Sequence, residues 1–138
     1  MNYARARQYL LAKPEAVEDF PFGPEVAVMK IRGKMFATLV VNPGAGKDGT
    51  ASMNLKCEPN EAAILRDIFA AVKPGYHMNK RHWNTIALDG SIPCGEIERM
   101  MDNSYALVVQ GLPRAVRQAL EIHHGRAAIY PPGTGTTV

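Results

Sequence analysis

Two apolar segments separated by a three-residue turn constrain the fold of this chain more than any other feature. Residues 25–31 (EVAVMKI) and 35–41 (MFATLVV) are rich in apolar and β-branched side chains, and RGK lies between them. Gly33 occupies the turn position that most needs a positive φ, which glycine adopts without steric cost. The pattern predicts a β-hairpin over residues 25–41, and an antiparallel sheet must therefore form at least part of the fold.

Periodic patterns on either side of the hairpin predict the order of the remaining elements. Residues 59–72 give the clearest helix, because apolar side chains recur at helical spacing behind a proline and early acidic residues. The other predicted elements are helices at 3–11, 96–101, 106–112 and 113–122 and strands at 51–57, 76–78 and 83–88. The order helix, three strands, helix, two strands, helices predicts an α+β fold of two layers, with the helices packed on one face of an antiparallel sheet.

Length, charge and cysteine content exclude several classes of protein. A chain of 138 residues fits one domain, and its formal charge of +3 permits an anionic partner without demanding one. Cys57 and Cys94 are too few and too far apart for a disulfide framework or a paired CxxC metal site, which favours a reducing cytoplasm. No segment approaches the roughly 20 apolar residues that span a bilayer, so we expect no membrane partner.

Three stretches of the sequence resemble the MmcQ/YjbR family. They are PFGPEVAVMKIRGKMFATL, LKCEPNEAAILRDIF and PGYHMNKRHWNTIALDGSIPCGEIERMMDNSYALVVQGL, and they follow one another in the family's order. The resemblance covers residues 1–122, which we expect to form the domain, and leaves 123–138 as a loose C-terminal tail. It implies a bacterial protein with a double-wing DNA-binding fold, similar in layout to type III secretion chaperones and frataxin-like proteins. It carries over no catalytic residue.

The predicted hairpin carries the first group of cations. Lys30, Arg32 and Lys34 stand at alternate positions, so that their side chains can project from one side of an extended turn toward phosphates. Cations also protect edge strands from aggregation, and a solvated hairpin tip is therefore the alternative interpretation.

A second cationic group follows the predicted strand YHM. Lys80 and Arg81 lie beside Asn79, a hydrogen-bonding side chain, and Tyr76, an aromatic ring that can stack on a base. Aromatic rings interleaved with cations suit single-stranded nucleic acid. The spacing of NKRHWNT also fits a hydrogen-bond network that defines the fold, and we expect Trp83 to bury its ring in the core.

Other candidate sites have weaker chemistry. His77 and His82 are five residues apart, which matches no helical metal motif. Cys57 precedes a helix whose N-terminus can lower a thiol pKa, yet no histidine accompanies it locally. The loop NPGAGKDGT departs from the P-loop pattern because Asp48 follows the lysine. The acidic residues near 96–102 fit a solvated helix face.

These observations predict a bacterial binding module that is not an enzyme and needs no metal or cofactor. Its expected ligand is DNA or RNA, held by seven residues: Lys30, Arg32, Lys34, Tyr76, Asn79, Lys80 and Arg81. The alternative is a protein-interaction or chaperone-like module that binds a peptide or a second copy of itself. Nucleic-acid binding requires that both cationic groups reach one exposed patch and are not neutralised by carboxylates.

Overall fold

The computed structural model describes residues 1–41 and 51–131. The elements are α1 (Tyr3–Leu11), β1 (Val17–Asp19), β2 (Val26–Ile31), β3 (Lys34–Val41), β4 (Ala51–Lys56), α2 (Pro59–Ile68), β5 (Val72–Pro74), β6 (Trp83–Leu88), α3 (Cys94–Gln110), α4 (Arg114–His124) and α5 (Arg126–Ile129). The loop at 42–50, which we compared with a P-loop, and residues 132–138 lie outside the described parts.

The strands form one six-stranded sheet with the order β1-β2-β3-β4-β6-β5, in which every neighbouring pair is antiparallel. Side chains alternate between its faces, as the period of a strand requires. Met53, Leu55 and Ile86 are buried under the helices, whereas the residues on either side of each of them along the strand are only half-buried. The helices pack on one face, and this confirms the predicted α+β fold. We call the opposite side the open face.

The predicted hairpin forms β2 and β3, with a bulge that sequence did not indicate. Met29 pairs with Ala37 and Lys30 with Met35, so Phe36 has no partner across the ladder. A bulge lets the extra side chain turn to the same face as its neighbour. Phe36 is fully buried, edge-on to the ring of Tyr105 at 5.2 Å, while Lys30 lies on the open face.

Helix α3 is continuous, and the two helices predicted at 96–101 and 106–112 are a single element. Asn103 and Ser104 suggested a junction because such residues commonly cap helices. In the structure Ser104 Oγ instead accepts a hydrogen bond from Lys56 N at 2.8 Å and donates to Phe36 O. Because the Ser104 hydroxyl forms its hydrogen bonds with the sheet and not with the helix backbone, it does not interrupt the helix.

Helices α1 and α3 are joined by a largely buried polar cluster. Asp102 Oδ1 accepts from Tyr9 Oη at 2.9 Å and forms an ion pair with Lys13. The predicted solvated acidic face therefore does not include Asp102. Burial first, and then the bond to Asp102, raise the pKa of Tyr9.

The chain remains packed beyond residue 122, where we expected a loose tail. Helix α4 continues to His124, and α5 follows after Gly125, whose φ of 84° suits glycine. Ile129 is fully buried and Tyr130 Oη donates to Glu121 Oε2 at 2.6 Å. The first residues of the expected tail thus complete the core, because an apolar side chain at 129 closes the end of the helical layer.

Two boundaries near β5 differ from the prediction. The helix predicted to reach residue 72 ends at Ile68, and the following strand is Val72–Pro74 in place of 76–78. β5 is an edge strand, where Pro74 needs no ladder partner for a missing N–H group. Residues 75–82 are consequently a connection, which we call the β5–β6 connection.

Candidate nucleic-acid interface

The hairpin cations lie at the turn between β2 and β3, and two of the three are paired with carboxylates. Lys30 Nζ is 2.9 Å from Asp19 Oδ2, and Arg32 Nε is 2.7 Å from Glu15 Oε1. Lys34 is exposed and forms no ion pair with any residue that the structure describes. The turn therefore offers one unpaired cation, where the sequence predicted three.

These pairs hold the acidic partners in their charged form. The pKa of Glu15 is lowered first by Arg32 and then by His124, whose Nε2 is 2.7 Å from Glu15 Oε2. The bond from Lys30 lowers the pKa of Asp19 in the same way. At neutral pH, the positive charge of Lys30 and Arg32 is thus offset within the hairpin region.

The hairpin turn and the β5–β6 connection lie at the same end of the sheet. β3 begins at Lys34, at the end where β4 finishes at Lys56, and Trp83 pairs with Lys56 at the start of β6. Because β4 lies between β3 and β6, the two features are separated by two strand spacings, about 10 Å. The fold brings both cationic groups to one end of the molecule.

Short backbone contacts close the β5–β6 connection. Gly75 N donates to Trp83 O at 2.9 Å, and a Cβ at Gly75 would lie 2.8 Å from Trp83 Cβ. Asn79 O accepts from the N–H groups of His82 and Trp83, and Asn79 Oδ1 accepts from Arg81 N at 3.0 Å. The side-chain oxygen of Asn79, a predicted ligand-binding residue, is therefore engaged in shaping the turn.

Tyr76 is held by its backbone and displays its ring. Its N–H donates to Thr85 Oγ1 at 2.8 Å and its carbonyl accepts from Asn54 Nδ2 at 3.4 Å, while Thr85 also donates to Asn54 Oδ1. The side chain is 70% exposed and contacts the ring of His77, with 4.0 Å between centroids. His77 has a φ of 60°, which is uncommon for a residue other than glycine.

Lys80 and Arg81 share an open depression with Arg66 of α2, which we call the cationic hollow. The hollow has a volume of about 630 Å³, and its other lining residues are Pro59, Asn60 and Pro74. Arg66 Nη1 donates to the carbonyl of Lys80 at 2.9 Å, which fixes the helix against the connection. No carboxylate lines the hollow within the described chain, and three cations therefore face solvent together.

Helix α2 contributes Arg66 to this site and not its N-terminal amides. The side chain of Glu58 caps the helix by accepting from Asn60 N and Glu61 N, each at 3.0 Å. Those two bonds lower the pKa of Glu58. The first amides of the helix are satisfied, so an anion in the hollow would be held by side chains.

The open face carries a groove beside the β5–β6 connection, with a volume of about 560 Å³. We call it the open-face groove. Its apolar lining residues are Phe22, Val26, Met35, Val40, Tyr76 and Met78, and its polar ones are Thr38, Ser52, Asn54 and His77. Phe22 is 71% exposed, so its ring is accessible to solvent at the groove.

Trp83 lies on the open face and is half-buried, so the prediction that its ring enters the core is wrong. The alternation of β6 turns Asn84, Ile86 and Leu88 inward instead. Asn84 Nδ2 donates to Ala62 O at 3.3 Å, while Asn84 Oδ1 is buried without a hydrogen-bond partner in the described structure. The side-chain period, and not the size of the tryptophan, decides which residue is buried.

The weaker candidate sites gain no support. Burial raises the pKa of the Cys57 thiol to about 12, which opposes formation of the nucleophilic thiolate. Within residues 1–41 and 51–131, no group of three or more His, Cys, Asp and Glu side chains could hold a metal ion. None of the helices in those ranges is both long and apolar enough to cross a membrane.

The sheet, the one-sided helical layer and the β5–β6 connection define a class of small α+β proteins, and comparison with known proteins identifies the family. The YjbR family model matches residues 11–107. The chain belongs to the MmcQ/YjbR family, as its resemblance predicted.

Two bacterial relatives are similar over most of each chain. The protein named Uncharacterized protein YjbR from Escherichia coli K12 is 32% identical over 120 residues, which is 87% of this chain and 98% of the relative. Uncharacterized protein YbdF from Escherichia coli O157:H7 is 34% identical over 109 residues, covering 79% and 85%. These names assign no activity.

Solved structures share the fold as well. The crystal structure of Deinococcus radiodurans protein DR2400, from domain family DUF419, superposes with a TM-score of 0.76 at 30% identity, covering 86% of this chain and 87% of that one. A crystal structure from Pseudomonas syringae gives a TM-score of 0.67 at 30% identity, covering 78% and 98%.

Proposed function

We propose that this chain is a non-catalytic cytoplasmic module that binds nucleic acid at the sheet end where the β5–β6 connection and the hairpin turn lie. Arg66, Lys80 and Arg81 contact phosphates in the cationic hollow, and Lys34 adds a fourth contact from the turn. Lys30 and Arg32 keep their carboxylates and stabilise the hairpin.

One observation carries this proposal: three cations surround one open hollow, and the described residues that line it include no carboxylate. Like charges that face one another without a neutralising partner favour an anionic ligand. The hairpin differs from the cationic hollow, because Asp19 and Glu15 already neutralise two of its cations. Both cysteines are free thiols, which suits the reducing cytoplasm that we propose as the compartment.

Salt dependence tests the proposal. Four neutralised phosphates predict a slope of log affinity against log salt of about −2.8 for a single strand or about −3.6 for duplex DNA. Between 50 and 200 mM salt the affinity would fall about 50-fold or about 150-fold, respectively. Fluorescence anisotropy with labelled oligonucleotides at several salt concentrations measures the slope.

A charge-matched pair of double variants locates the site. Lys80→Gln with Arg81→Gln removes two of the four contacts and should halve the slope. Arg5→Gln with Arg114→Gln removes the same net charge from exposed positions on α1 and α4, and should leave the slope unchanged. Equal effects of the two double variants, or no binding at 50 mM salt, would exclude the cationic hollow as a nucleic-acid site.

A peptide-binding module is the second candidate, because the open-face groove is apolar and its rim includes the exposed ring of Phe22. Its volume of about 560 Å³ lies within the usual range of ligand pockets. This candidate predicts that an apolar peptide binds with an affinity that salt hardly changes.

A further inference from the structure

We propose, as an extension of the proposed function, that the nucleic acid is single-stranded and that its unpaired bases enter the open-face groove and stack on Tyr76. The proposal joins the open-face groove and the cationic hollow, which share the β5–β6 connection. It therefore predicts that single-stranded nucleic acid binds more tightly than a duplex.

The β5–β6 connection contributes to both surfaces. Tyr76 and Met78 line the open-face groove, and Lys80 and Arg81 line the cationic hollow. Lys80 is four positions after Tyr76, so their Cα atoms are at most about 14 Å apart. A strand with phosphates at the hollow thus has its neighbouring bases within reach of the groove.

The chemistry of the groove suits the faces of bases. Its floor and walls are largely apolar, and the rings of Phe22 and Tyr76 are 71% and 70% exposed. In a duplex the base faces are covered by stacking, and only base edges are accessible in the grooves. A concave apolar surface therefore gains contacts from unpaired bases that paired ones cannot offer.

The charge of the open face also favours a polyanion over an apolar peptide. Lys56 and Lys73 project from this face, opposite Trp83 and Thr85 in the ladder, and neither forms an ion pair within the described structure. Asp19, an acidic side chain on the same face, is already paired with Lys30. A strand that leaves the hollow across the sheet would follow these cations.

Tyr76 is preorganised for stacking. The hydrogen bonds from Tyr76 N to Thr85 and from Asn54 to Tyr76 O fix its backbone on the sheet. A backbone that is already ordered loses less conformational entropy on binding. Stacking accepts every base, so we expect little sequence preference.

An abasic oligonucleotide provides the decisive comparison, because it keeps the phosphates and lacks the bases. The probes are labelled dT12, an abasic 12-mer and a 12-base-pair duplex at 50 mM salt. We expect dT12 to bind at least 10-fold tighter than either of the others. Tyr76→Ala should weaken dT12 binding about 5- to 150-fold. It should leave abasic and duplex binding and the salt slope unchanged, while Tyr76→Phe retains wild-type affinity.

The outcomes separate this inference from the proposed function. Equal affinity for dT12 and the abasic 12-mer, with binding that still depends on Lys80 and Arg81, overturns the stacking inference and leaves nucleic-acid binding intact. If none of the three probes binds, the proposed function itself fails. An apolar peptide that binds in a Tyr76-dependent manner without competition from dT12 would assign the groove to the second candidate. Circular dichroism checks that the Tyr76 variants are folded.

Discussion

Gly75 is the position at which a single methyl group should disturb both stability and binding. A Cβ there would lie 2.8 Å from Trp83 Cβ, 2.9 Å from Trp83 O and 3.0 Å from Met78 Cβ. Two of these contacts involve the backbone or the first side-chain atom of β6, which cannot rotate away. Gly75→Ala therefore forces the connection to move off the strand.

The expected cost follows from overpacking, since the φ of Gly75 is not in the left-handed region. Extra methyl groups at tightly packed sites destabilise by about 1–3 kcal/mol. For a domain of this size, that corresponds to a fall in Tm of about 3–12 °C. The shift would also disturb the hydrogen bond from Gly75 to Trp83 and the neighbouring hydrogen bonds that hold the backbone of Tyr76. The affinity for single-stranded nucleic acid should therefore fall as well.

Gly95→Ala is the matched control, because a Cβ at Gly95 meets no atom within 4 Å and the residue lies in α3. Alanine in a helix is favoured over glycine by about 0.5–1 kcal/mol, so this variant should raise Tm slightly and leave binding unchanged. Differential scanning calorimetry and anisotropy measure both variants. A Gly75→Ala protein with wild-type Tm and wild-type affinity would refute the reasoning.

Three further predictions concern residues outside the connection. Glu15→Gln removes the negative charge that pairs with Arg32, so oligonucleotide affinity at 50 mM salt should rise and the slope should steepen by up to about 0.7, while stability changes by less than about 1 kcal/mol. An unchanged slope would show that Arg32 cannot reach a phosphate. Ser104→Ala leaves one buried and one partly buried backbone group without their side-chain partner and should cost about 2–4 kcal/mol by urea denaturation; a cost below about 0.5 kcal/mol would contradict the hydrogen bonds described for it. Cys57 should resist a thiol reagent at pH 8 while Cys94 reacts, because Cys57 is buried with a pKa of about 12, and equal rates would contradict that burial.

The hairpin was predictable because its signals are local. Apolar segments and a glycine turn within residues 25–41 specify β2 and β3 without reference to distant parts of the chain. The bulge at Phe36 was not predictable, because it depends on the ring of Tyr105, which packs against it from α3. Local pattern thus predicted the strands, while tertiary packing decided their register.

The error in α3 has the same origin. Ser104 and Asn103 have the composition of a helix cap, and sequence alone could not show that Ser104 is bonded to Lys56 and Phe36. Those partners lie 48 and 68 residues away. A polar side chain in a helix interior is tolerated when another element satisfies it, and only the assembled fold shows that element.

The candidate site was found in part. Lys80, Arg81 and Tyr76 stood out because they lie within six consecutive residues, whereas Arg66 reaches the cationic hollow from a helix, 14 residues before Lys80. Its only sequence signal was a cation in a predicted helix, which is most often solvated. The contact between α2 and the β5–β6 connection gives that cation its position.

The carboxylates that neutralise the hairpin show why cation counts alone do not predict an interface. Asp19 belongs to β1, a strand of three residues that had no clear sequence signal, and its pairing with β2 places it beside Lys30. Glu15 has a φ of 58° and its carboxylate meets Arg32, so a strained connection supplies the second neutralising group. Near the hollow, the carboxylate of Glu58 is directed to helix amides, and no carboxylate of the described residues lines the hollow beside its cations. Two similar cationic clusters therefore differ in how much of their charge is paired with carboxylates, because the fold directs its acidic side chains to the hairpin.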